Sequence, residues 1–152
     1  MPHNATRLSD FMPYRMAITS NVVSGLISGE YRSEFGLKIP EWRIMAVLGD
    51  AGSLTQRDLV RATLMDKVAV NRACKVLEDR GFVQRSPNEM DGRSHHLELT
   101  VDGRELHGKI WPQAVDIYEK IFSAITPREQ DKLRGILDKL LKAARAIEGD
   151  EK

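Results

Sequence analysis

Apolar residues recur at helical spacing along most of the chain. A first helix is predicted over residues 11–35, and a second begins near Pro40, a residue type that suits the first turn of a helix. Two further helices are predicted in the last third of the chain, one after Thr100 and one after Thr126, where Pro127 follows the capping threonine. The pattern predicts a mainly helical chain.

Two shorter helices are predicted in the middle of the chain. Thr55 and Asp58 have the spacing of a capping box, in which a side-chain oxygen accepts from a backbone N–H three residues further on. Asp66 is a second N-cap, and Gly81 stands where that helix should end. The apolar stripe expected to face inward consists of Val70, Ala73, Cys74 and Leu77. A short helix, a turn and a second helix form a helix-turn-helix unit, whose second helix can lie in the major groove of DNA.

The hydrophobic period changes from helical to alternating after Gly81. Residues 82–85 and 95–99 are predicted to be strands, and the segment between them holds the proline, asparagine, aspartate and glycine of a hairpin loop. Two strands this short must pack against the helices to be stable. A hairpin directly after a helix-turn-helix unit is a wing, which can reach the adjacent minor groove.

The position of the charges supports nucleic-acid binding, although the net charge of the chain is only +1. With the apolar stripe inward, the opposite face of the second helix presents Lys67, Val68, Asn71, Arg72 and Lys75. Lysine and arginine side chains can contact phosphates, and asparagine can pair bidentately with adenine. The hairpin loop also carries an arginine, whose planar, permanently charged guanidinium suits a narrow minor groove.

Three stretches of the sequence resemble the MarR family of bacterial regulators, which is named for multiple antibiotic resistance. They are LTQRDL at 54–59, VLEDRGFVQR at 76–85, and DGRS at 91–94 followed by LELTVDG at 97–103. The resemblance covers nearly the whole chain. It implies a winged helix-turn-helix homodimer, with interdigitating N- and C-terminal helices, on a palindromic operator.

The same resemblance implies a division of labour along the chain. Residues 8–36 and 101–148 would be dimerisation helices, and residues 38–100 the DNA-binding lobe. Arg93 would be the minor-groove arginine of the wing, positioned by Asp91, although Lys67-Val68-Ala69 departs from the small hydroxyl residues that many relatives have there. The predicted DNA-contacting residues are Thr55, Gln56, Arg57, Lys67, Val68, Asn71, Arg72, Lys75, Arg85, Asp91, Arg93 and Ser94.

A ligand site is a further expectation. Tyr14, Met16, Trp42 and Met45 are interpreted first as packing residues of the core or dimer. Members of the family bind effectors in a crevice between the dimerisation helices and the DNA-binding lobe, and Arg15 lies near that junction, where it would pair with an anion. The predicted ligand-binding residues are Arg15, Met16, Trp42 and Met45. The N-terminal half looks similar to relatives that control the breakdown of aromatic acids, some of which sense acyl-CoA thioesters, so an aromatic or acyl-CoA effector is expected.

The sequence argues against an enzyme, a metal site and a cofactor. It contains no glycine-rich phosphate loop, nucleophile elbow or metalloprotease helix. His95 and His96 are neighbours on a predicted strand, so they point to opposite faces and cannot easily bind one ion. Cys74, the single cysteine, belongs to the inward stripe and is interpreted as a small buried hydrophobe, in keeping with a reducing cytoplasm.

The remaining features favour a bacterial cytoplasmic protein, associated with the nucleoid when bound to DNA. No apolar run approaches the roughly 20 residues needed to span a membrane, and residues 1–9 lack the apolar core of a signal peptide. The predicted function is a sequence-specific regulator of transcription, a repressor that a small ligand releases. Two alternatives stay open: an architectural or activating DNA-binding protein without an effector, and a helical protein–protein adaptor that keeps the fold without binding DNA.

Overall fold

The computed structural model describes residues 7–87 and 95–150 of the chain. The described chain is mainly helical, with a small sheet, as the sequence predicted. After a short 3-10 helix (Leu8–Asp10), the elements in order are α1 (Met12–Phe35), α2 (Ile39–Ala51), β1 (Ser53–Thr55), α3 (Gln56–Thr63), α4 (Lys67–Asp79), β2 (Val83–Pro87), β3 (His95–Leu99), α5 (Val101–Phe122) and α6 (Pro127–Asp150).

The predicted helix starts are confirmed by their capping bonds. The Thr55 hydroxyl oxygen accepts from the Asp58 N–H at 3.1 Å, and the Asp58 carboxylate accepts from the Thr55 N–H at 3.2 Å. These hydrogen bonds hold the pKa of the Asp58 carboxyl below its usual value. The Asp66 carboxylate likewise accepts from the Ala69 N–H at 2.8 Å, so each helix of the helix-turn-helix unit begins at a side-chain cap.

The sheet contains one more strand than the sequence predicted. β3 lies between β1 and β2 and pairs antiparallel with both, so that Leu97 is opposite Leu54 on one side and Arg85 on the other. The predicted wing strands β2 and β3 are confirmed. β1 escaped prediction because three residues show no recognisable alternation, and its pairing partner is distant in the sequence.

The predicted apolar stripe of α4 is confirmed as part of the core. Its side chains are all buried, and the core also includes Leu48 of α2, Leu59 of α3 and Leu97 of β3. Burial of each large aliphatic side chain is worth about 1.5–3 kcal/mol. The core therefore fixes α4 against α2, α3 and the sheet.

The start of α5 is bonded to the turn that follows α4. The Thr100 hydroxyl oxygen accepts from the Gly103 N–H at 3.0 Å and donates to the Gly81 carbonyl at 2.6 Å, while the Thr100 N–H donates to the Phe82 carbonyl at 3.0 Å. A Cβ atom at Gly103 would overlap the carbonyl oxygen of Phe82. Thr100 and Gly103 thus have structural roles. Thr100 caps α5, and Gly103 lets the first turn of α5 lie close to the backbone at Phe82.

The chain divides into two compact units, the first ending at Val115 and the second beginning at Asp116. Within the second unit, the Tyr118 hydroxyl donates to the Gln130 side-chain oxygen at 2.8 Å, and the Tyr118 and Phe122 rings are 4.8 Å apart. In the described ranges, no helix combines the length and apolar character needed to cross a membrane.

The close approach at Gly103 gives a paired stability prediction. Gly103→Ala should lower the free energy of unfolding by more than about 2 kcal/mol, because the new methyl group meets backbone that cannot move away easily. Gly108→Ala is the matched control in the same helix, where a Cβ meets nothing within 4 Å, and it should raise stability by up to about 1 kcal/mol. Urea unfolding at one protein concentration measures both, and equal midpoints for the two variants would contradict this account of Gly103.

Candidate nucleic-acid interface

The outer face of α4 is exposed, as the inward stripe requires. Lys67, Asn71, Arg72 and Lys75 are exposed, and Val68 retains 63% of its accessible surface. This exposure confirms the predicted orientation of the helix. Base or phosphate contact by these side chains stays a prediction.

The N-terminal part of α3 shares a surface with α4. A cavity of about 370 Å³ is lined by Gln56, Arg57 and Val60 of α3 together with Lys67 and Asn71 of α4. Four of these five residues were predicted to contact DNA, and the structure brings them together. A depression lined by amide and cationic groups can accept a phosphate or a base edge.

Arg85 and Thr55 are engaged inside the chain. The Arg85 Nε donates to the Glu78 carboxylate at 2.7 Å, and a terminal guanidinium nitrogen donates to the Gln56 side-chain oxygen at 3.4 Å. The hydrogen bond to Glu78 raises the pKa of Arg85. Arg85 therefore links β2, α4 and α3, and these bonds were not predicted from the sequence. The Thr55 hydroxyl caps α3, as the sequence predicted.

The loop of the wing lies outside the described residues, and with it Asp91, Arg93 and Ser94. The strands on either side of it are described, and Pro87 is paired with His95 at the end of the hairpin.

A second and larger cavity lies between α2, β1, α3 and α5. Its volume is about 710 Å³, and its lining includes Gly49 and Asp50 of α2 and His107 and Trp111 of α5. The His107 and Trp111 rings are stacked, with centroids 5.9 Å apart and planes 10° apart, and the Trp42 ring centroid lies 5.6 Å from that of His107. Sequence reasoning missed His107 and Trp111, although their i, i+4 spacing places them on one helix face.

The four residues predicted to bind a ligand are not among those lining this cavity. Met45 is fully buried in the core, and Trp42 packs against Tyr31 and His107. Arg15 and Met16 are exposed on α1, where the Arg15 guanidinium donates to the Ser9 carbonyl at 3.1 Å. A core position leaves Met45 without surface for a ligand, in agreement with its first interpretation as a packing residue.

Comparison with known proteins agrees with this geometry. Residues 35–94 match the model of the MarR family. The transcriptional repressor MprA of Escherichia coli K12 is 30% identical over 98 residues, which are 64% of this chain and 56% of that protein. The HTH-type transcriptional repressor Rv2887 of Mycobacterium tuberculosis is 28% identical over 108 residues, 71% of this chain and 78% of that protein. The chain thus spans little more than half the length of MprA.

Solved structures extend the likeness to most of the fold. A MarR family transcriptional regulator from Silicibacter pomeroyi DSS-3 is 28% identical, with a TM-score of 0.79 over 91% of this chain and 98% of that one. A probable transcriptional regulator from Pseudomonas aeruginosa is 27% identical, with a TM-score of 0.73 over 88% of this chain and 99% of that one. The fold defines a winged helix-turn-helix protein. Over residues 35–94 and in its fold, the chain is similar to regulators of the MarR family.

Burial of Cys74 gives a prediction about its reactivity. Desolvation raises the pKa of the thiol from 9.0 to about 11, so the thiolate fraction at pH 8 should fall about 100-fold, and burial restricts access further. A chromogenic disulfide reagent should therefore label the native protein at least about 100-fold more slowly than the urea-unfolded protein, with Cys74→Ser as the blank. Rapid labelling of the native state would instead mark Cys74 as a reactive, redox-type thiol.

Proposed function

We propose that the protein is a sequence-specific DNA-binding regulator of transcription, a homodimeric repressor that a small ligand releases from a palindromic operator. The observation that carries the proposal is the outer face of α4, where amide and cationic side chains are exposed directly above a buried apolar stripe. A helix held in this way can enter the major groove with its N-terminal turns toward the bases.

The charges on α4 suit this orientation. Lys67 lies in the first turn, Arg72 and Lys75 follow along the exposed face, and these cations are proposed to contact phosphates. Glu78 lies near the opposite end of the helix, and its carboxylate is neutralised by Arg85 at 2.7 Å. The ion pair reduces the repulsion that an unpaired carboxylate would exert on the DNA backbone.

The wing is proposed to add a second contact. Arg93 would enter the minor groove, with Asp91 and Ser94 beside it, while the described strands β2 and β3 supply the base of the hairpin. Arg85 would act mainly by holding this hairpin against α4 and α3.

Ligand response is proposed to act through the 710 Å³ cavity, because its aromatic lining can bind a planar ring. Two solved structures with the same fold concern ligands: NadR in complex with 4-hydroxyphenylacetate, 20% identical with a TM-score of 0.79, and Bordetella bronchiseptica BpsR, whose DNA binding is regulated by 6-hydroxynicotinic acid, 22% identical with a TM-score of 0.78. These ligands belong to those proteins, and they favour an aromatic effector here only by analogy.

A homodimer is proposed because the terminal helices expose large apolar side chains. On α6 these include Leu133, Ile136, Leu137, Leu140 and Leu141, and on α1 they include Ile18, Val22 and Leu26. Contiguous apolar surfaces usually mark interfaces, and twofold symmetry would place two copies of α4 on the two halves of a palindrome.

Asn71 provides the test of sequence reading. An operator is first selected from a random DNA pool, and titrations then compare it with random DNA. Asn71→Ala should weaken operator binding by about 1–3 kcal/mol and random DNA much less, since only the operator presents the preferred base. Asn21→Ala removes an exposed asparagine from α1 and should change neither affinity. Equal losses of affinity for both DNAs would show that Asn71 contacts only the DNA backbone. If the DNA affinity of the parent protein does not change with salt concentration, the alternative of a protein–protein adaptor is favoured.

The apolar face of α6 provides the test of the dimer. Leu137→Asp together with Leu141→Asp should unfold the chain or leave a much less stable monomer, because both leucines are exposed in the single chain and would be buried only in the proposed dimer interface. Sedimentation equilibrium and thermal melting report mass and folding on the same samples. If the parent protein is a stable, folded monomer at micromolar concentration, the dimer proposal is wrong.

A further inference from the structure

The charge of the 710 Å³ cavity is set by one side chain. Nine of the described residues line the cavity, and Asp50 is the only one of these nine with a charged side chain at neutral pH. Burial holds the pKa of His107 below its usual value, so its imidazole is neutral at pH 7. Among the described residues, no lysine or arginine belongs to the lining, so a bound carboxylate would face Asp50 without a compensating cation.

The end of α2 adds to this negative potential. Asp50 is the residue before Ala51, the last residue of α2, where the aligned peptide dipoles place a partial negative charge. A carboxylate at a helix C-terminus is locally unfavourable, and no salt bridge in the described part of the chain involves Asp50. A bound cation would offset the repulsion between the Asp50 carboxylate and the partial negative charge at the end of α2.

An aromatic platform borders the same cavity. Trp111 keeps 51% of its accessible surface, while its ring is stacked on His107, whose ring also packs with that of Trp42. Gly49 makes room for the histidine, because a Cβ at that position would lie 2.5 Å from the His107 Nε2. The exposed indole is therefore held in place by packing, and its ring face attracts both planar rings and cations.

We infer that this cavity binds a cation that carries a planar aromatic ring, such as an arylmethylammonium ion, with the ring against Trp111 and the ammonium group toward Asp50. A cationic ligand is opposite in charge to the anionic effector that Arg15 suggested. The difference arises because Asp50 lines this cavity and Arg15 does not. The inference deepens the proposed ligand response and rests on that proposal for its effect on DNA, whereas binding itself can be measured without DNA.

Isothermal titration calorimetry on the full-length protein at pH 7 tests the inference with two probes of similar shape and opposite charge. The probes are 1-naphthylmethylamine, which is cationic, and 1-naphthoate. The amine should bind roughly fivefold or more tightly than the carboxylate, as expected for one partly solvated charge pair with a cation–π contribution. Equal affinity, tighter binding of the carboxylate, or no detectable binding of either probe would overturn the inference.

Three variants assign any preference to this cavity. Asp50→Asn should abolish the preference for the amine while leaving the thermal melting temperature unchanged or slightly higher, because it removes an unfavourable charge from the end of α2. Asp79→Asn removes an exposed carboxylate outside the cavity, at the last residue of α4, and should leave the preference intact. Trp111→Leu should weaken the binding of both probes. A preference that survives Asp50→Asn would place the cation site elsewhere and overturn the assignment.

Operator binding separates this inference from the proposed function. If the amine binds as described and the parent protein fails to bind a selected operator, the proposed function fails while the ligand site stands. If the protein binds its operator and neither probe binds, the regulator stands and the ligand class is wrong.

Discussion

Burial of the apolar stripe on α4 fixes the orientation of every side chain on that helix that is proposed to meet DNA. Val70, Cys74 and Leu77 are fully buried, so the helical period leaves Asn71 and Lys75 no option but the opposite face. The stripe packs against α2, α3 and the sheet, and losing one large side chain from such a core costs about 2–5 kcal/mol. The outer face of α4 is therefore as well defined as the core beneath it.

Polar groups then hold the neighbouring elements to α4. Arg85 joins β2 to Glu78 of α4 and to Gln56 of α3, and Thr100 joins the start of α5 to the turn at Gly81. Both interactions are partly exposed, so they add little to the free energy of unfolding and act mainly by orienting the elements that they join. They set the angle at which the hairpin leaves the helix-turn-helix unit, a geometry that a winged helix needs if its hairpin and α4 are to contact one duplex.

α5 connects the two surfaces to which function is assigned. Its first turn is bonded to the chain that follows α4, and two turns further on it presents His107 and Trp111 to the cavity beside α2. A ligand resting on Trp111 would thus touch the helix whose start is fixed next to the end of α4. Coupling between ligand and DNA requires two arrangements of such an element with different affinities, and the effect of each ligand on the other must be reciprocal.

Local interactions account for what the sequence by itself determined. The capping residues Thr55, Asp66 and Thr126, the stripe of α4, the wing strands and the stretches that resemble the MarR family are all recognisable there, because caps and hydrophobic periods depend on residues only a few positions apart. Tertiary structure alone decided the rest: the pairing of β1 with β3, the engagement of Arg85 by Glu78 and Gln56, and the packing of the His107 ring with Trp42 and Trp111. Each of these features depends on how whole elements pack against one another. Neither residue type nor local spacing determines which side chain of a distant element will contact a given residue.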